Sequence, residues 1–275
     1  MKILVLGASG LLAKPVIEHF DEKGYQLRLF SRNVKANMFQ KDYEIVNGDV
    51  LSQNDLEKAA EGCDAFHVTI SNVDEEKAAE IITNVAKKKG IKIISFVSGC
   101  TVREENRWFP MIDKKFRAEQ IIINSGIDYF IFRPTWFFES LDLMIRNGKA
   151  SIIGKQPIPF HWVAAADFAR MIEEAFSNQK ARNKAFYILG PEPYRMKDLL
   201  EKYCITTYPE IKKVSVVPFG MIKFIAFLKR SKMLKNVAEL FAYFEKTGEN
   251  CDPEETNKLL GKPEITFEKW LELRG

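Results

Sequence analysis

The first thirty residues constrain the fold most, because they read as a buried strand, a glycine turn, a helix and a second strand. The apolar run Lys2–Leu6 is followed by the sequence G-A-S-G-L-L-A at residues 7–13, and an apolar run resumes at Gln26. Two glycines and a final small residue allow a tight turn, close backbone approach and close helix packing, as in turns that hold a pyrophosphate at a helix N-terminus. A glycine turn that serves packing alone is the alternative.

Strand-like and helix-like segments alternate through the first half of the chain. The predicted strands are Lys2–Leu6, Gln26–Phe30, Glu44–Val46, Ala65–Thr69, Lys92–Val97 and Tyr129–Phe132. The predicted helices between them are Leu11–Lys23, Gln53–Ala60, Glu75–Lys89 and Lys114–Asn124. Because parallel strands need a covering crossover, this alternation predicts an α/β fold with a doubly wound parallel sheet.

After Pro134 the alternation weakens and prolines separate shorter elements. The segments Ala165–Phe176 and Met196–Tyr203 still read as helices, and Ala185–Leu189 reads as a strand. We therefore expect residues 1–155 to form a dinucleotide-binding domain with a Rossmann fold. We expect residues 156–275 to complete the sheet and to build a small, mostly helical cap over a substrate, without folding independently.

Composition excludes several classes of protein. The 275 residues are 46% hydrophobic, which suffices for a large core. The four cysteines are scattered and have no neighbouring histidine cluster, so we expect reduced thiols, a cytoplasmic protein and no metal site. The first apolar run is too short for a signal peptide or a membrane span.

The net charge of +4 comes from one region. Phe219–Lys246 holds six Lys or Arg residues against two acids, so the rest of the chain sums to zero, and we expect no nucleic-acid partner. Residues 219–230 are apolar nearly all round and then basic, which is also the composition of a membrane-surface helix. We expect instead a cap helix packed on the core, with Met221 among the side chains lining the cap, and no membrane contact.

The ends of the predicted strands carry residues suited to a dinucleotide. Arg32 stands where an acidic residue would bind the ribose of NAD, so the sequence favours NADP, with NAD possible. A solvated surface arginine is the alternative. Asp49, followed by Val50, could accept from the adenine amino group or form an ordinary turn. The loop 69–72, which ends at Asn72, is expected to contact the cofactor backbone, unless it is only a polar loop.

Several short motifs occur in one order along the chain: residues 7–13, 31–33, 48–50 and 97–99, Lys115 with Glu119, residues 125–129 and residues 133–138. In this order they resemble the atypical short-chain dehydrogenase/reductases, especially the NmrA-like group and its epimerase-like NAD(P)-binding relatives. Segments 162–169, 190–193 and 266–270 resemble that family's substrate side. With the resemblance, the predicted cofactor-binding residues are Gly7, Ser9, Gly10, Leu11, Leu12, Arg32, Asp49, Val50, Thr69, Ser71, Lys115 and Pro134.

The chain also departs from the family pattern. Family members that reduce carbonyl compounds use Tyr-x-x-x-Lys, in which the lysine lowers the pKa of the tyrosine. Lys115 matches the lysine, but Met111 stands at the tyrosine position, and a thioether cannot donate a proton. Lys115 then acts alone as acid and base, binds the nicotinamide ribose, or is a surface lysine.

The resemblance places Ser98 where the family has a hydroxyl that faces the substrate, although a turn residue is an equal reading. Lys115 and Ser98 are therefore the predicted catalytic residues. His161 lies beside a substrate-side segment, but a structural histidine is the simpler interpretation.

The leading hypothesis is an NADP-binding reductase for a small, fairly apolar substrate such as a quinone, aldehyde or enone. A non-catalytic NADP-binding redox sensor or regulatory protein is the rival, and Met111 supports it. A nucleotide-sugar epimerase or dehydratase is the third hypothesis. In each case we expect a small-molecule ligand and a monomer or homodimer.

Overall fold

The computed structural model describes residues 1–71 and 73–274, which form two compact units. Unit 1 consists of Met1–Pro134, Ala165–Ile188 and Cys251–Glu264. Unit 2 consists of Thr135–Ala164, Leu189–Asn250 and the residues from Ile265 onward. The chain therefore passes between the units five times. The expected division at residue 155, and the expectation that residues 156–275 do not fold alone, stay predictions.

The strands are, in chain order, β1 (Lys2–Leu6), β2 (Gln26–Ser31), β3 (Glu44–Asn47), β4 (Ala65–Val68), β5 (Ile93–Val97), β6 (Asp128–Pro134), β7 (Ile145–Arg146), β8 (Lys149–Ile153), β9 (Phe160–His161), β10 (Lys184–Ile188), β11 (Pro193–Tyr194) and β12 (Val214–Val217). The α-helices are α1 (Ala13–Glu22), α2 (Gln53–Ala59), α3 (Glu75–Lys89), α4 (Pro110–Ile123), α5 (Ala165–Ser177), α6 (Met196–Thr207), α7 (Phe219–Leu228), α8 (Lys232–Phe244), α9 (Glu254–Leu260) and α10 (Phe267–Arg274). Short 3-10 helices cover Ala36–Met38, Glu104–Asn106, Phe138–Met144 and Gln179–Ala181.

Unit 1 is built on a seven-stranded parallel sheet with the order β10-β6-β5-β4-β1-β2-β3. The order reverses beside β1, where Ile3 pairs with Leu27 of β2 on one side and Ala65 of β4 on the other. Helices α1 and α5 contact each other, and α3 contacts both α2 and α4. The predicted doubly wound α/β fold is confirmed. Such sheets bind ligands outside the carboxyl ends of their strands, at the point where the order reverses.

The central strands are buried on both faces because helices cover each side. One face packs Leu4, Phe66 and Ile94 against the apolar side of α3. On β4 the alternate positions include His67, whose Nδ1 lies 2.9 Å from the hydroxyl of Ser95 on β5. Complete burial lowers the pKa of His67 to about 3. His67 therefore packs within its strand as an uncharged side chain, as the sequence indicates.

Unit 2 combines helices with two small sheets, β7-β8-β12 and β9-β11. Its core is aromatic: the ring of Phe138 packs at a tilt against those of Phe267 and Trp270, with ring centres 5.6 and 5.4 Å apart. The fully buried Trp162 donates its indole N–H to the carbonyl of Tyr194 at 3.2 Å. The predicted helical C-terminal region is confirmed, with short strands that the sequence did not reveal.

Helix α7 differs from the expectation of a helix packed on the core. Ala226 is its one buried residue, and the side chain of Met221 is 54% exposed. About half of the apolar side chains of this segment, those of Met221, Phe224, Phe227 and Leu228, are therefore exposed rather than buried within unit 2. Within residues 1–71 and 73–274, none of the helices has both the length and the apolar character needed to cross a bilayer.

Candidate functional site

The glycine turn after β1 lies at the carboxyl edge of the sheet. Gly7 adopts a φ of +86°, and its N–H donates to the carbonyl of Phe30 at 2.9 Å. A Cβ at this position would lie 2.2 Å from the carbonyl oxygen of Thr69. Gly7 is thus required by the close approach of the β1 and β4 loops, and its contact with a cofactor stays a prediction.

Gly10 has different surroundings, although it lies in the same turn. Its N–H donates to the Gly7 carbonyl at 2.9 Å, and the nearest atom to an added Cβ would be that carbonyl oxygen at 3.1 Å. Residues 9–11 are exposed, whereas Ala13 is fully buried against the sheet. The turn therefore packs through its last residue and leaves its middle open to a ligand.

Helix α1 begins directly behind this opening. Its N-cap residue, Leu12, makes no side-chain cap, and the first turn contains no acidic residue. The backbone N–H groups and the positive end of the helix dipole are consequently left for an anion. The residues present fit the pyrophosphate of a dinucleotide.

The end of β2 adds positive charge at the same edge. The Ser31 hydroxyl donates to the Ser9 hydroxyl at 2.8 Å and joins the two loops. Arg32 is exposed, and in the described part of the chain no carboxylate forms an ion pair with it. Its guanidinium is therefore free to bind a phosphate.

The loops after β3 and β4 carry the remaining cofactor predictions. The Asp49 carboxylate accepts from the Leu51 N–H at 3.0 Å, which makes it part of a turn, and Val50 is buried. The Thr69 N–H donates to the Leu6 carbonyl at 2.9 Å, while Ser71 is exposed. Asn72 lies outside the described residues. The ordinary turn reading of Asp49 thus gains support, and its contact with adenine stays a prediction.

Lys115 has a partner that sequence reasoning missed. Its ammonium donates to both carboxylate oxygens of Glu75, the first residue of α3, at 2.8 and 2.7 Å. The two side chains are only 20% and 11% exposed. Met111, one turn earlier on α4, is 36% exposed. Lys115 is therefore held in a largely buried ion pair, and a role in proton transfer or ribose binding would compete with Glu75.

The hydroxyl of Ser98 is also hydrogen-bonded to a carboxylate. It donates to Glu119, which is fully buried, and Arg133 donates to both oxygens of the same carboxylate. Arg133 donates further to the hydroxyl of Tyr187 at 2.9 Å. Lys115 and Glu119, which share a family motif, thus have different partners. Pro134, at the end of β6, accepts from the backbone N–H of Cys100 at 2.9 Å.

Unit 2 contains a histidine–carboxylate pair. His161 Nδ1 lies 2.7 Å from Glu249 Oε2, and the other carboxylate oxygen accepts from the His161 backbone N–H at 2.9 Å and from the Thr135 hydroxyl. The hydrogen bond to Glu249 raises the pKa of His161 above its usual value. No sequence pattern pointed to Glu249, which lies 88 residues from its partner.

Comparison with known proteins places this geometry in a family. A family model described as NAD(P)H-binding matches residues 7–179, more than half of the chain. The chain belongs to this NAD(P)H-binding family. The match begins at Gly7 and includes every predicted cofactor-binding residue, so the predicted cofactor class and Rossmann-like fold are confirmed, whereas the individual residue assignments stay predictions.

Proteins similar to this chain in sequence or in fold are diverse in name. The photosystem II assembly factor Ycf39 of Cyanophora paradoxa is 23% identical to this chain over 237 residues, which are 81% of this chain and 74% of that protein. The triphenylmethane reductase of Citrobacter sp., solved with NADP(H), has a TM-score of 0.77 at 17% identity and 99% coverage of both chains. The NADPH-dependent quinone oxidoreductase QOR2 of Escherichia coli, solved with NADPH, has a TM-score of 0.75 at 22% identity and full coverage of both. These structures share the fold of this NAD(P)H-binding protein.

Proposed function

We propose that the chain binds NADPH along the carboxyl edge of the unit 1 sheet and uses it to reduce a small apolar acceptor. The observation that carries the proposal is the exposed Arg32, which has no ion-pair partner among the described residues, beside the N-terminus of α1, where Leu12 makes no side-chain cap. Together they offer one site to the pyrophosphate and another to the 2′-phosphate. Two neighbours of the same fold are named as NADP(H) or NADPH complexes, which supports the choice of cofactor.

Most of the predicted cofactor-binding residues take a place in this proposal. The N–H groups of Leu11 and Leu12 bind the pyrophosphate, Gly10 leaves room for it, and Ser9 holds the turn through Ser31. Arg32 binds the 2′-phosphate. Asp49 and Val50 take the adenine side of the phosphates in this proposal, and Thr69, Ser71 and Pro134 take the nicotinamide side.

The class of acceptor follows from the lack of a free proton donor among the predicted catalytic residues. A bound nicotinamide cofactor supplies a hydride. Reduction of a plain aldehyde then needs a strong proton donor for the developing alkoxide. Met111 replaces the tyrosine that serves this purpose in the family, and both Lys115 and Ser98 are held by carboxylates. A quinone or an extended enone needs less help, since its reduced anion is delocalised and can take a proton from water.

A spectrophotometric screen tests this proposal. Purified protein is mixed with NADPH or NADH, and the absorbance of the reduced cofactor is followed with quinones, enones and aldehydes. We expect turnover with quinones to exceed turnover with aldehydes, and NADPH to be preferred over NADH. Aldehyde reduction as fast as quinone reduction would show that the chain supplies an acid that this proposal denies it.

A second candidate function, a cofactor-binding regulatory protein without turnover, is favoured by the same two contacts. The ion pair of Lys115 with Glu75 and the hydrogen bond of Ser98 with Glu119 occupy both predicted catalytic groups. The name of the relative in Cyanophora paradoxa, an assembly factor, points in this direction. Tight NADPH binding with no oxidation by any acceptor class would select this candidate. The cytoplasmic location and the monomeric or dimeric state stay predictions.

A further inference from the structure

Helix α7 presents an apolar stripe to solvent. Met221, Phe224, Phe227 and Leu228 are 54%, 61%, 79% and 63% exposed. Their spacing of three and four residues places them on one side of the helix. Adjacent aromatic and aliphatic side chains on one exposed face are uncommon in globular proteins and mark contact with another apolar body.

Contacts of α7 and α8 with the rest of unit 2 hold the apolar stripe in place. The ring of Phe219, the first residue of α7, packs so closely over Gly154 that a Cβ there would lie 2.3 Å from it. Helix α8 returns alongside α7 and ends in the aromatic core, where Phe244 lies 4.9 Å from Trp136 and 5.7 Å from Phe160, centre to centre. The exposed stripe is therefore a fixed surface of unit 2.

Positive charge surrounds the stripe. Lys223 lies within α7, and Lys229, Arg230 and Lys232 follow at the turn into α8, all of them exposed. Within residues 1–71 and 73–274, no carboxylate forms an ion pair with any of these four residues. The nearby Glu239 is already paired with Lys235 at 3.8 Å.

We propose that the α7–α8 hairpin, with its apolar stripe and the four flanking basic residues, docks on the surface of an anionic lipid bilayer. An apolar helix face rimmed by lysine and arginine is suited to lie in the interface plane, with the apolar side chains among the acyl chains and the cations at the headgroup phosphates. A second copy of the chain is disfavoured as the occupant, since a symmetric contact would set the same cations against each other.

Vesicle binding tests the proposal directly. Full-length protein is mixed with vesicles of phosphatidylcholine alone or with 30% phosphatidylglycerol, and bound protein is separated by flotation. We expect binding to the anionic vesicles, little binding to the neutral ones, and release as salt is raised. Absence of binding to the anionic vesicles at low salt, or equal binding to both compositions, would overturn the proposal.

Two pairs of variants separate the apolar and electrostatic contributions. Phe224→Ser with Phe227→Ser should lower the partition coefficient on anionic vesicles at least tenfold. The control, Ile205→Ser with Leu273→Ser, changes two side chains of matched exposure, 74% and 63%, and should leave it unchanged. Lys229→Gln with Arg230→Gln should lower the partition coefficient about tenfold or more, since each cation raises this coefficient about fivefold. Lys212→Gln with Lys213→Gln is the matched control.

Two further measurements keep the result interpretable. All substituted side chains are exposed, so thermal melts should match that of the unaltered chain, and circular dichroism checks that the fold is retained. Sedimentation velocity without lipid gives the oligomeric state. If Phe224→Ser with Phe227→Ser converts a dimer into a monomer without changing vesicle binding, a second copy covers the stripe and the lipid proposal is wrong.

Discussion

Gly7 and Gly10 lie three residues apart in one turn, and only one of them is needed by the fold. Gly7 has a positive φ and no room for a Cβ beside Thr69. Gly10 has a backbone conformation open to other residues, and an added Cβ would lie 3.1 Å from the Gly7 carbonyl oxygen and 3.8 Å from that of Thr69. The two positions therefore separate folding from ligand binding.

Substitution by valine should separate these two roles. Gly10→Val should abolish NADPH binding in calorimetric titration and lower the unfolding free energy by only about 1–2 kcal/mol. Gly7→Val should lower it by more than about 3 kcal/mol, because strain adds to the clash with the carbonyl. Gly220→Val, where nothing lies within 4 Å of an added Cβ, is the control for both measurements. Unchanged NADPH affinity in Gly10→Val would mean that the turn serves packing alone.

Arg32 should determine the preference for NADPH over NADH. A charge-assisted contact with a phosphate contributes about 1.5–3 kcal/mol. Arg32→Ala should therefore weaken NADPH binding tenfold or more and leave NADH binding nearly unchanged, as measured by titration with each cofactor. Arg146→Ala removes an exposed arginine of unit 2 and should affect neither. Equal losses for both cofactors would refute the contact with the 2′-phosphate.

Because of His67, we expect the free energy of unfolding to decrease as the pH is lowered. Burial lowers its pKa to about 3, so the unfolded chain takes up a proton below about pH 6.5 while the folded chain does not. The stability contribution is complete above pH 6.5 and falls by about 1.4 kcal/mol per pH unit towards pH 3. Urea unfolding of the unaltered chain and of His67→Gln should therefore converge as the pH is lowered from 7.5 to 5. A constant difference would show that His67 is not buried in its neutral form.

Because His161 pairs with Glu249, its contribution to stability depends on pH in the direction opposite to that of His67. Its raised pKa favours the folded state below about pH 6.5, and this contribution is lost as the pH rises through the folded-state value. Because both proteins in the His67 comparison retain His161, its contribution cancels in the difference. The same cancellation applies to the carboxylates.

Three neighbouring ion pairs join helices α3 and α4. Asp74, Glu75 and Glu76 lie at the start of α3, and they pair with Lys114, Lys115 and Arg117 of α4. The acids also lie at the positive end of the α3 dipole. The middle pair is largely buried, and the Lys114 pair is exposed, so their contributions to stability should differ.

Removing the buried lysine should be costly for a structural reason. Lys115→Met leaves the Glu75 carboxylate without its partner and should lower the unfolding free energy by about 2–4 kcal/mol in urea titrations. Lys114→Met, in an exposed pair, should lower it by less than about 1 kcal/mol. Adding Glu75→Gln to Lys115→Met should recover most of the loss. If Lys115→Met is no more destabilising than Lys114→Met, the ion pair does not hold Lys115, and the predicted role of this lysine in proton transfer regains support.

Sequence reasoning located the elements well wherever the signals are local. Helix α3 was predicted with the observed bounds, because Asp74 caps its first turn and Gly90 ends it with a positive φ. Helix α4 was predicted to begin four residues late, because the proline at its first position was not taken as a helix start. The carboxyl edge with its glycine turn was likewise predictable from short, contiguous motifs.

The same reasoning failed for the charged contacts of the site. Lys115 and Glu75 are 40 residues apart, and Ser98 and Glu119 are 21 apart. Such pairs are created by the packing of separate elements, and no periodicity or spacing in one stretch of chain contains them. The sequence therefore identified the cofactor class, whereas the partners that restrict Lys115 and Ser98 needed the structure.

At the scale of the molecule, unit 1 depends on segments from beyond residue 155. Phe176 of α5 packs on Phe20 and Phe130, with ring centres 5.2 Å apart in both pairs. Strand β10 pairs with β6 and forms one edge of the sheet. One face of the sheet is therefore covered only when later residues are present.

A fragment of residues 1–155 should consequently fail to form a native core. It lacks α5 and β10, and it exposes the rings of Phe20 and Phe130. We expect loss of near-ultraviolet circular dichroism and of a cooperative thermal transition, together with binding of a dye specific for exposed apolar surface. The full chain is the control. A cooperative melt of the fragment would show that the first eight strands and four helices suffice.

The way the chain passes between the units also sets an order of events during synthesis on the ribosome. The six strands that emerge first leave β6 as an open edge, and β10 reaches it only after about fifty further residues have been added. An unpaired edge strand is a template for pairing with other chains. We expect the nascent protein to be most prone to aggregation in this interval, and slower translation before residue 184 should lower its yield.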